Sequence, residues 1–438
     1  MNAFLRLSFL IVALVIVFTG LSQEENDALP TTFLGLETDS IHGVMHCIQR
    51  TDPPRRVRLG HENIRDIFES CARAPIAVVA NHTSIVPGEW GPVHLVDTLL
   101  SLGINVQKVF APEHGFRGNA HNGANIDDDL DSKTGLPLLS LHGKHRKPTP
   151  SMMEDIRMVV FDIQDIGARF YTYLSTLFLV MDAASESGAV VMVLDRPNPH
   201  GHQMAGPVLE PKWTSFVGQV PVPMVHGMTL GEMARMINGE GWLPGGKKCE
   251  LMVIPCEGYA HSDRWFPTIA PSPNLPSDAS IALYPSLCLF EPTAASIGRG
   301  TPHPFECVGF PGMPDGSFGF TPEPIAGAAP HPKHEGVACV GHNLTGLAEE
   351  WIQGNHGYDL SWIADYSKYW DESHPGEPFI QTASSFGRLA GTDSLLSAFQ
   401  SGNFQSDYPP SWLEDLQAFH KTRLPYLLYP LQRDAAQK

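Results

Sequence analysis

The segment PIAVVANHT, residues 75–83, decides how the chain is read. Ile76 to Ala80 is an unbroken apolar run of strand length. A strand without polar alternation has to be covered on both faces, as in a parallel sheet. Asn81, His82 and Thr83 follow at once. Polar side chains at that point suit a binding site, because ligands of open parallel sheets sit beyond the carboxyl ends of the strands.

The same pairing recurs along the chain. VFAPEHGFRG (109–118) ends a strand expected over Val106–Phe110 and delivers Glu113, His114 and Arg117. IRMVVFDI (156–163) delivers Asp162, followed by Gln164, Asp165 and Arg169. AVVMVL (189–194) delivers Asp195, Arg196 and Asn198. Val93–Leu102 carries apolar residues at helical spacing, and Tyr173–Ser187 reads as a helix capped by Gly188. Strands alternating with helices predict an α/β fold with a doubly wound parallel sheet and right-handed crossovers. The four polar clusters then face one crevice.

Each residue also has a local reading. Asp195 suits a helix N-cap or turn, and His82 and His114 suit satisfied core positions. Arg169 is placed to pair with Asp165 four residues before it. Arg117 either meets substrate or pairs with an acidic neighbour. Glu113 lacks such a reading: Pro112 and Gly115 make a tight turn, and Glu is a poor turn residue.

Past residue 207 the rhythm loosens. Thr229-Leu-Gly-Glu232 is a capping-box pattern ahead of a helix at Gly231–Asn238, and Leu251–Ile254 reads as a strand. Residues 265–335 are rich in Pro and Gly and read as loops that shape a cleft or simply cross the surface. They include Asn274 in PSPNLP (271–276), Glu291 after an apolar run, and Arg299 between Gly298 and Gly300. Helices are expected at 393–400 and 412–421. The predicted division is a signal peptide at 1–22, a lead-in at 23–60, a catalytic domain at 61–207 and an auxiliary domain at 208–438.

Composition narrows the function. The 438 residues are 42% hydrophobic and 17% charged, with a net charge of −18, which excludes a basic nucleic-acid-binding surface. Arg6, the apolar Leu7–Gly20 run and the small residues Gly20 and Ser22 read as an export signal. The mature chain is expected to be soluble and periplasmic or secreted; the alternative is an uncleaved N-terminal anchor. Seven irregularly spaced cysteines make no disulfide framework. Buried free thiols are expected for most, with Cys249–Cys256 as one pairing to examine. There is no G-x-G-x-x-G after the first strand, no P-loop, no H-E-x-x-H and no G-x-S-x-G. Neither a cofactor nor a metal is expected.

Carboxylates at a crevice mouth among Arg, His, Asn and Tyr fit general acid/base work such as glycoside hydrolysis. That reaction needs one protonated carboxyl, and a second carboxylate or a substrate acetamido group. APEHGFRG (111–118), TGLPLLSLHGKHRKPT (134–149), FDIQDIGARFYTYLSTL (161–177), LDRPNPHG (194–201), HGMTLGEMA (226–234), PSPNLP (271–276), YPSLCLFEPT (284–293) and GRGTPHPFE (298–306) resemble the exo-β-N-acetylmuramidases of the NamZ type. The matches run in order over about residues 60–430, and PYLLYP (425–430) resembles the family's end.

The resemblance implies a Rossmann-like domain joined to an auxiliary α/β domain, with the site in the cleft between them. It implies release of non-reducing terminal N-acetylmuramic acid from peptidoglycan fragments. The expected catalytic residues are Glu113, Asp162, Asp165 and Glu291, with Glu113 as general acid and Asp162 or Asp165 as its partner. Expected binding residues are Asn81, His82, His114, Arg169, Tyr171, Asp195, Arg196, Asn198, Asn274 and Arg299. Among these, Arg169, Arg196 or Arg299 would take the lactyl carboxylate, which suits a bidentate guanidinium. Tyr171, Asn198 and Asn274 would take hydroxyl or acetyl groups. The sequence departs from the family at NAHNGANIDDDLDS (119–132) and at PTAAS (292–296), near Glu291. The competing class is an exported muropeptide-binding protein without turnover. A metal-dependent hydrolase is a third.

Overall fold

The structure is a computed structural model. It describes residues 32–33, 36–39, 44–47, 56–71, 74–113, 115–117, 129–354, 357–400 and 410–432. The expected signal segment and His114 lie outside them.

The Ile76–Ala80 strand lies inside a seven-stranded sheet. Its neighbours are Met158–Asp162 on one side and Val106–Ala111 on the other, both parallel to it. Val190–Leu194 and Glu250–Ile254 extend the sheet beyond Met158–Asp162, and Pro137–Ser140 and then Asp129–Leu130 extend it beyond Val106–Ala111. Only the short Asp129–Leu130 strand is antiparallel to its neighbour. Numbered along the chain, the parallel strands run 3-2-1-4-5-6 across the sheet, the Rossmann order. The expected α/β, doubly wound architecture is present.

Burial explains the apolar run. Ala77 and Val79 face one core, packed with Val159, Phe161, Val191, Val193 and the Tyr173–Ser187 helix. Ile76, Val78 and Ala80 face a second core with Met158, Val160, Met192 and Leu194, under the Leu95–Ser101 helix. Successive strand residues point to opposite faces, so both sets have to be apolar. Gly188 closes the Tyr173–Ser187 helix at φ 75°. Thr229 and Glu232 form the expected capping box on Leu230–Gly239.

Other parts depart from the sequence reading. Glu250–Ile254 joins the central sheet from beyond residue 207, so that sheet is built across the expected boundary. Leu36–Asp39 and Val44–Cys47, read as irregular lead-in, form an antiparallel sheet with Gln203–Val208 and Pro223–Val225. The loop-rich stretch contains a helix, Asp278–Leu287, despite Pro285. Ser277 caps it, and burial of the helix in the core offsets the one backbone hydrogen bond that Pro285 cannot donate. Cys71, Cys249, Cys256, Cys288, Cys307 and Cys339 are free and buried, so Cys249 and Cys256 do not pair.

Candidate active site

Glu113 follows the Val106–Ala111 strand on the turn predicted for it. Gly115 N–H donates to the Pro112 carbonyl at 3.1 Å, with Gly115 at φ 77°, a conformation open to glycine. The turn hands Glu113 to the start of the Tyr173–Ser187 helix, where Thr172 Oγ1 donates to Glu113 Oε2 at 2.8 Å. The Tyr173 hydroxyl approaches the Glu113 carbonyl at 3.4 Å. Asn81 Nδ2 donates to that Tyr173 oxygen at 2.9 Å. Asn81 is fully buried and its Oδ1 accepts from Thr83, so it supports the wall from behind.

Glu113 opens onto two adjoining cavities of about 550 and 220 Å3. Glu291 and Arg299 line both. The larger lies in the roughly 300–1,000 Å3 range of small-molecule sites. Arg299 Nη2 is 2.6 Å from Glu291 Oε1, and the guanidinium sits over the Phe305 ring. Tyr171, Tyr284 and Phe305 form a linked aromatic wall in the smaller cavity, Tyr171 and Tyr284 meeting edge to face at 5.7 Å. Asn274 lines the same cavity while its Nδ2 donates to the Ala328 carbonyl. His82 bonds the Ala270 carbonyl and Tyr171 the Pro271 carbonyl, each at 2.9 Å, which docks the 270–276 loop on the sheet. The structure thus brings Glu113, Glu291, Arg299, Tyr171 and Asn274 together.

The other expected residues go elsewhere. The switch point of the sheet, between Ile76–Ala80 and Met158–Asp162, is filled by a buried polar network. Asp162 is fully buried; Arg196 Nε reaches its Oδ1 at 2.8 Å and His61 Nδ1 at 3.3 Å. Burial would raise that carboxyl, yet Arg196 and His61 hold it well below the usual carboxylate range. Arg196 also donates to the Thr83 carbonyl. Asp162 and Arg196 therefore pair through Asp162 Oδ1, with Oδ2 buried and without a protein partner, and neither lines the two cavities around Glu113.

Asp165 is buried, with Oδ2 accepting from Gly167 N–H at 2.7 Å, and burial pushes its carboxyl up to about 7. It borders a cavity of about 10 Å3, room for one water and not for a sugar. Asp195 accepts from the Thr229 hydroxyl, the Gly231 N–H and the Tyr429 hydroxyl, and its carboxyl is pushed up to about 6 by burial. It is a structural anchor. Asn198 donates to the Met228 carbonyl and accepts from His200 N–H.

Arg169 is the largest correction. It is fully buried and donates to the carbonyls of Pro207, Val222, Leu389 and Ala390. Its hydrogen bonds use both amino groups to staple distant segments together, and the remaining Nε–H is buried without a partner, so no edge of the guanidinium is open to a substrate carboxylate. Arg117 takes its structural reading too. It meets Asp97 and Asp131 at 2.8 Å each, tying the Glu113 turn to the Leu95–Ser101 helix and the sheet edge.

Sequence reasoning passed over Thr172 and Lys333. Thr172 had a signal, since it directly precedes a predicted helix. Lys333 had none, because its partners lie some forty residues earlier in the chain. Among the described residues, no cluster of three or more His, Cys, Asp or Glu is arranged to hold a metal.

Residues 76–279 match the N-terminal domain model of the exo-β-N-acetylmuramidase NamZ, and residues 282–429 match its C-terminal domain model. A peptidoglycan β-N-acetylmuramidase NamZ from Bacillus subtilis is 37% identical over 348 residues, covering 74% of this chain and 80% of that protein. Two crystal structures of DUF1343 family proteins from Bacteroides fragilis share the fold. One has a TM-score of 0.77 at 41% identity and the other 0.70 at 27%; each match covers 86% of this chain and all of the other. With both family domains matched in order over most of its length, the chain belongs to the NamZ exo-β-N-acetylmuramidase family.

Proposed function

We propose that the protein is an exo-acting glycoside hydrolase that releases non-reducing terminal N-acetylmuramic acid from peptidoglycan fragments. The observation that carries this reading is the shared cavity of Glu113, Glu291 and Arg299, in a chain belonging to a muramidase family. Glu113, held by the Thr172 hydroxyl, is the general acid that protonates the departing glycosidic oxygen. Glu291, on the Phe290–Ala295 turn, is the partner carboxylate; it activates water or orients the substrate acetamido group. Arg299 reaches the cavity and carries a guanidinium suited to the lactyl carboxylate. Arg169 and Arg196 are committed to the protein's own groups. The aromatic wall supplies apolar faces for the sugar ring.

We also propose that the chain acts outside the cytoplasmic membrane, in the periplasm or as a secreted protein. The Arg6-plus-apolar leader supports this, as does the location of peptidoglycan itself. Among the described residues no helix is long and apolar enough to cross a membrane.

Incubation with a MurNAc–GlcNAc disaccharide and detection of free N-acetylmuramic acid tests the activity. Binding of the disaccharide without release would reject it in favour of a non-catalytic binding protein.

A further inference from the structure

The turn that carries Glu291 is held by a cation from another part of the chain. Lys333 Nζ donates to the carbonyls of Phe290 and Glu291 at 3.3 Å each and of Ala295 at 2.7 Å, and also to that of Thr293. The adjacent His334 donates from Nε2 to the Ala294 carbonyl at 2.7 Å. His334 does so from φ 59°, a backbone region that a non-glycine residue keeps only where its surroundings enforce it. The Pro292 carbonyl accepts from the N–H groups of Gln381 and Thr382. Every carbonyl from Phe290 to Ala295 is therefore occupied, and all but one by Lys333 or His334.

An ammonium has three hydrogens and no acceptor, so these carbonyls use its full donor capacity. Lys333 also lines the 550 Å3 cavity beside Glu291 and Arg299. Burial pulls its ammonium down to about 8, against the favourable charge of Glu291. A filler of apolar space would not carry that desolvation cost.

We infer that Lys333 is a positioning residue for the hydrolysis: a cationic clamp that fixes the Phe290–Ala295 turn and aims the Glu291 carboxylate into the cavity shared with Glu113. The inference rests on the proposed function and on Glu291 taking part in it. The clamp acts on orientation, so it bears on turnover more than on ground-state binding.

The test compares the full-length wild-type protein with Lys333→Met and Lys333→Arg on a chromogenic N-acetylmuramide, reading kcat, KM and Tm. Lys333→Met is expected to lower kcat about 10- to 100-fold, the scale of an ångström-level misplacement, with KM within about twofold. Lys333→Arg restores most of kcat, since a guanidinium also donates to several carbonyls. A folded Lys333→Met protein with wild-type kcat overturns the inference. So does a loss confined to KM or to Tm. If Lys333→Met does not fold, Lys333→Gln, which keeps an N–H donor, carries the same comparison. Failure of the wild-type protein to cleave the muramide would sink the functional reading instead, so the two failures are separable.

Discussion

Thr172 Oγ1 donates to Glu113 Oε2 at 2.8 Å, which ties the residue ahead of one helix to the turn after a neighbouring strand. The bond fixes one carboxyl oxygen of Glu113, a residue that lines both cavities. Glu113→Gln is expected to lose about 1,000-fold in kcat on a chromogenic muramide with Tm unchanged, the scale of removing a general acid. Thr172→Val leaves the acid in place and unaligned, so its loss is smaller, about 10-fold. Full activity in Glu113→Gln would remove it from the mechanism.

Arg169 is expected to behave as a structural residue. Arg169→Met leaves the carbonyls of Pro207, Val222, Leu389 and Ala390 without their donor, at a cost of about 3 kcal/mol. Urea denaturation measures that loss. Substrate KM of the folded fraction should stay at the wild-type value; a raised KM with unchanged stability would restore the expectation that Arg169 binds substrate.

Asp165 gives a pH signature. Its folded carboxyl titrates at about 7, against about 3.9 in an unfolded chain. The folded state therefore holds a proton that the unfolded state has released. This stabilisation is complete below about pH 4 and lost as pH rises through 7. Denaturation midpoints from pH 4 to 8 should fall in the wild-type protein and stay flatter in Asp165→Asn. The difference across that window is on the order of 4 kcal/mol. Parallel profiles would show that Asp165 ionises normally.

Arg117 has the opposite sign. Its guanidinium, with burial opposing, holds the Asp131 carboxyl well below the usual range. The folded state prefers the ionised form, so stability is present above about pH 4 and lost as pH falls. Arg117→Leu should cost about 2 kcal/mol at pH 7, and the gap between variant and wild type should narrow once pH falls below about 4 and close only as the wild-type Asp131 carboxyl, held well below the usual range, takes up its proton. A gap independent of pH would assign the loss to packing over Phe116 instead.

Much of this protein is written in local patterns. Unbroken apolar runs such as IAVVA require a strand covered on both faces, and Gly188 and the Thr229–Glu232 pair mark helix ends wherever they fall. Pro112 and Gly115 bracket Glu113 closely enough to show a tight turn with an unexplained carboxylate. The Asp278–Leu287 helix was hidden because Pro285 reads locally as a breaker, while the burial that offsets its missing N–H comes from the rest of the chain.

The sequence by itself determined five of the seven strands of the central sheet, though not Asp129–Leu130 and Pro137–Ser140 at its edge, together with the covering helices at Leu95–Ser101 and Tyr173–Ser187 and the placement of Glu113 at a strand end. Backbone preference and apolar periodicity act over a few residues, so they are legible there. Which polar groups reach the cavity was decided only by the tertiary structure. Asp195 is silenced by Thr229 and by Tyr429, 234 residues away, and Arg169 by Leu389 and Ala390. Glu291 is held by Lys333, which has no local relation to it. A carboxylate or guanidinium at a strand end can turn into a crevice or back into the protein. The outcome depends on which hydrogen-bond partners the rest of the chain delivers, because an unpaired buried polar group costs more than the fold can spare.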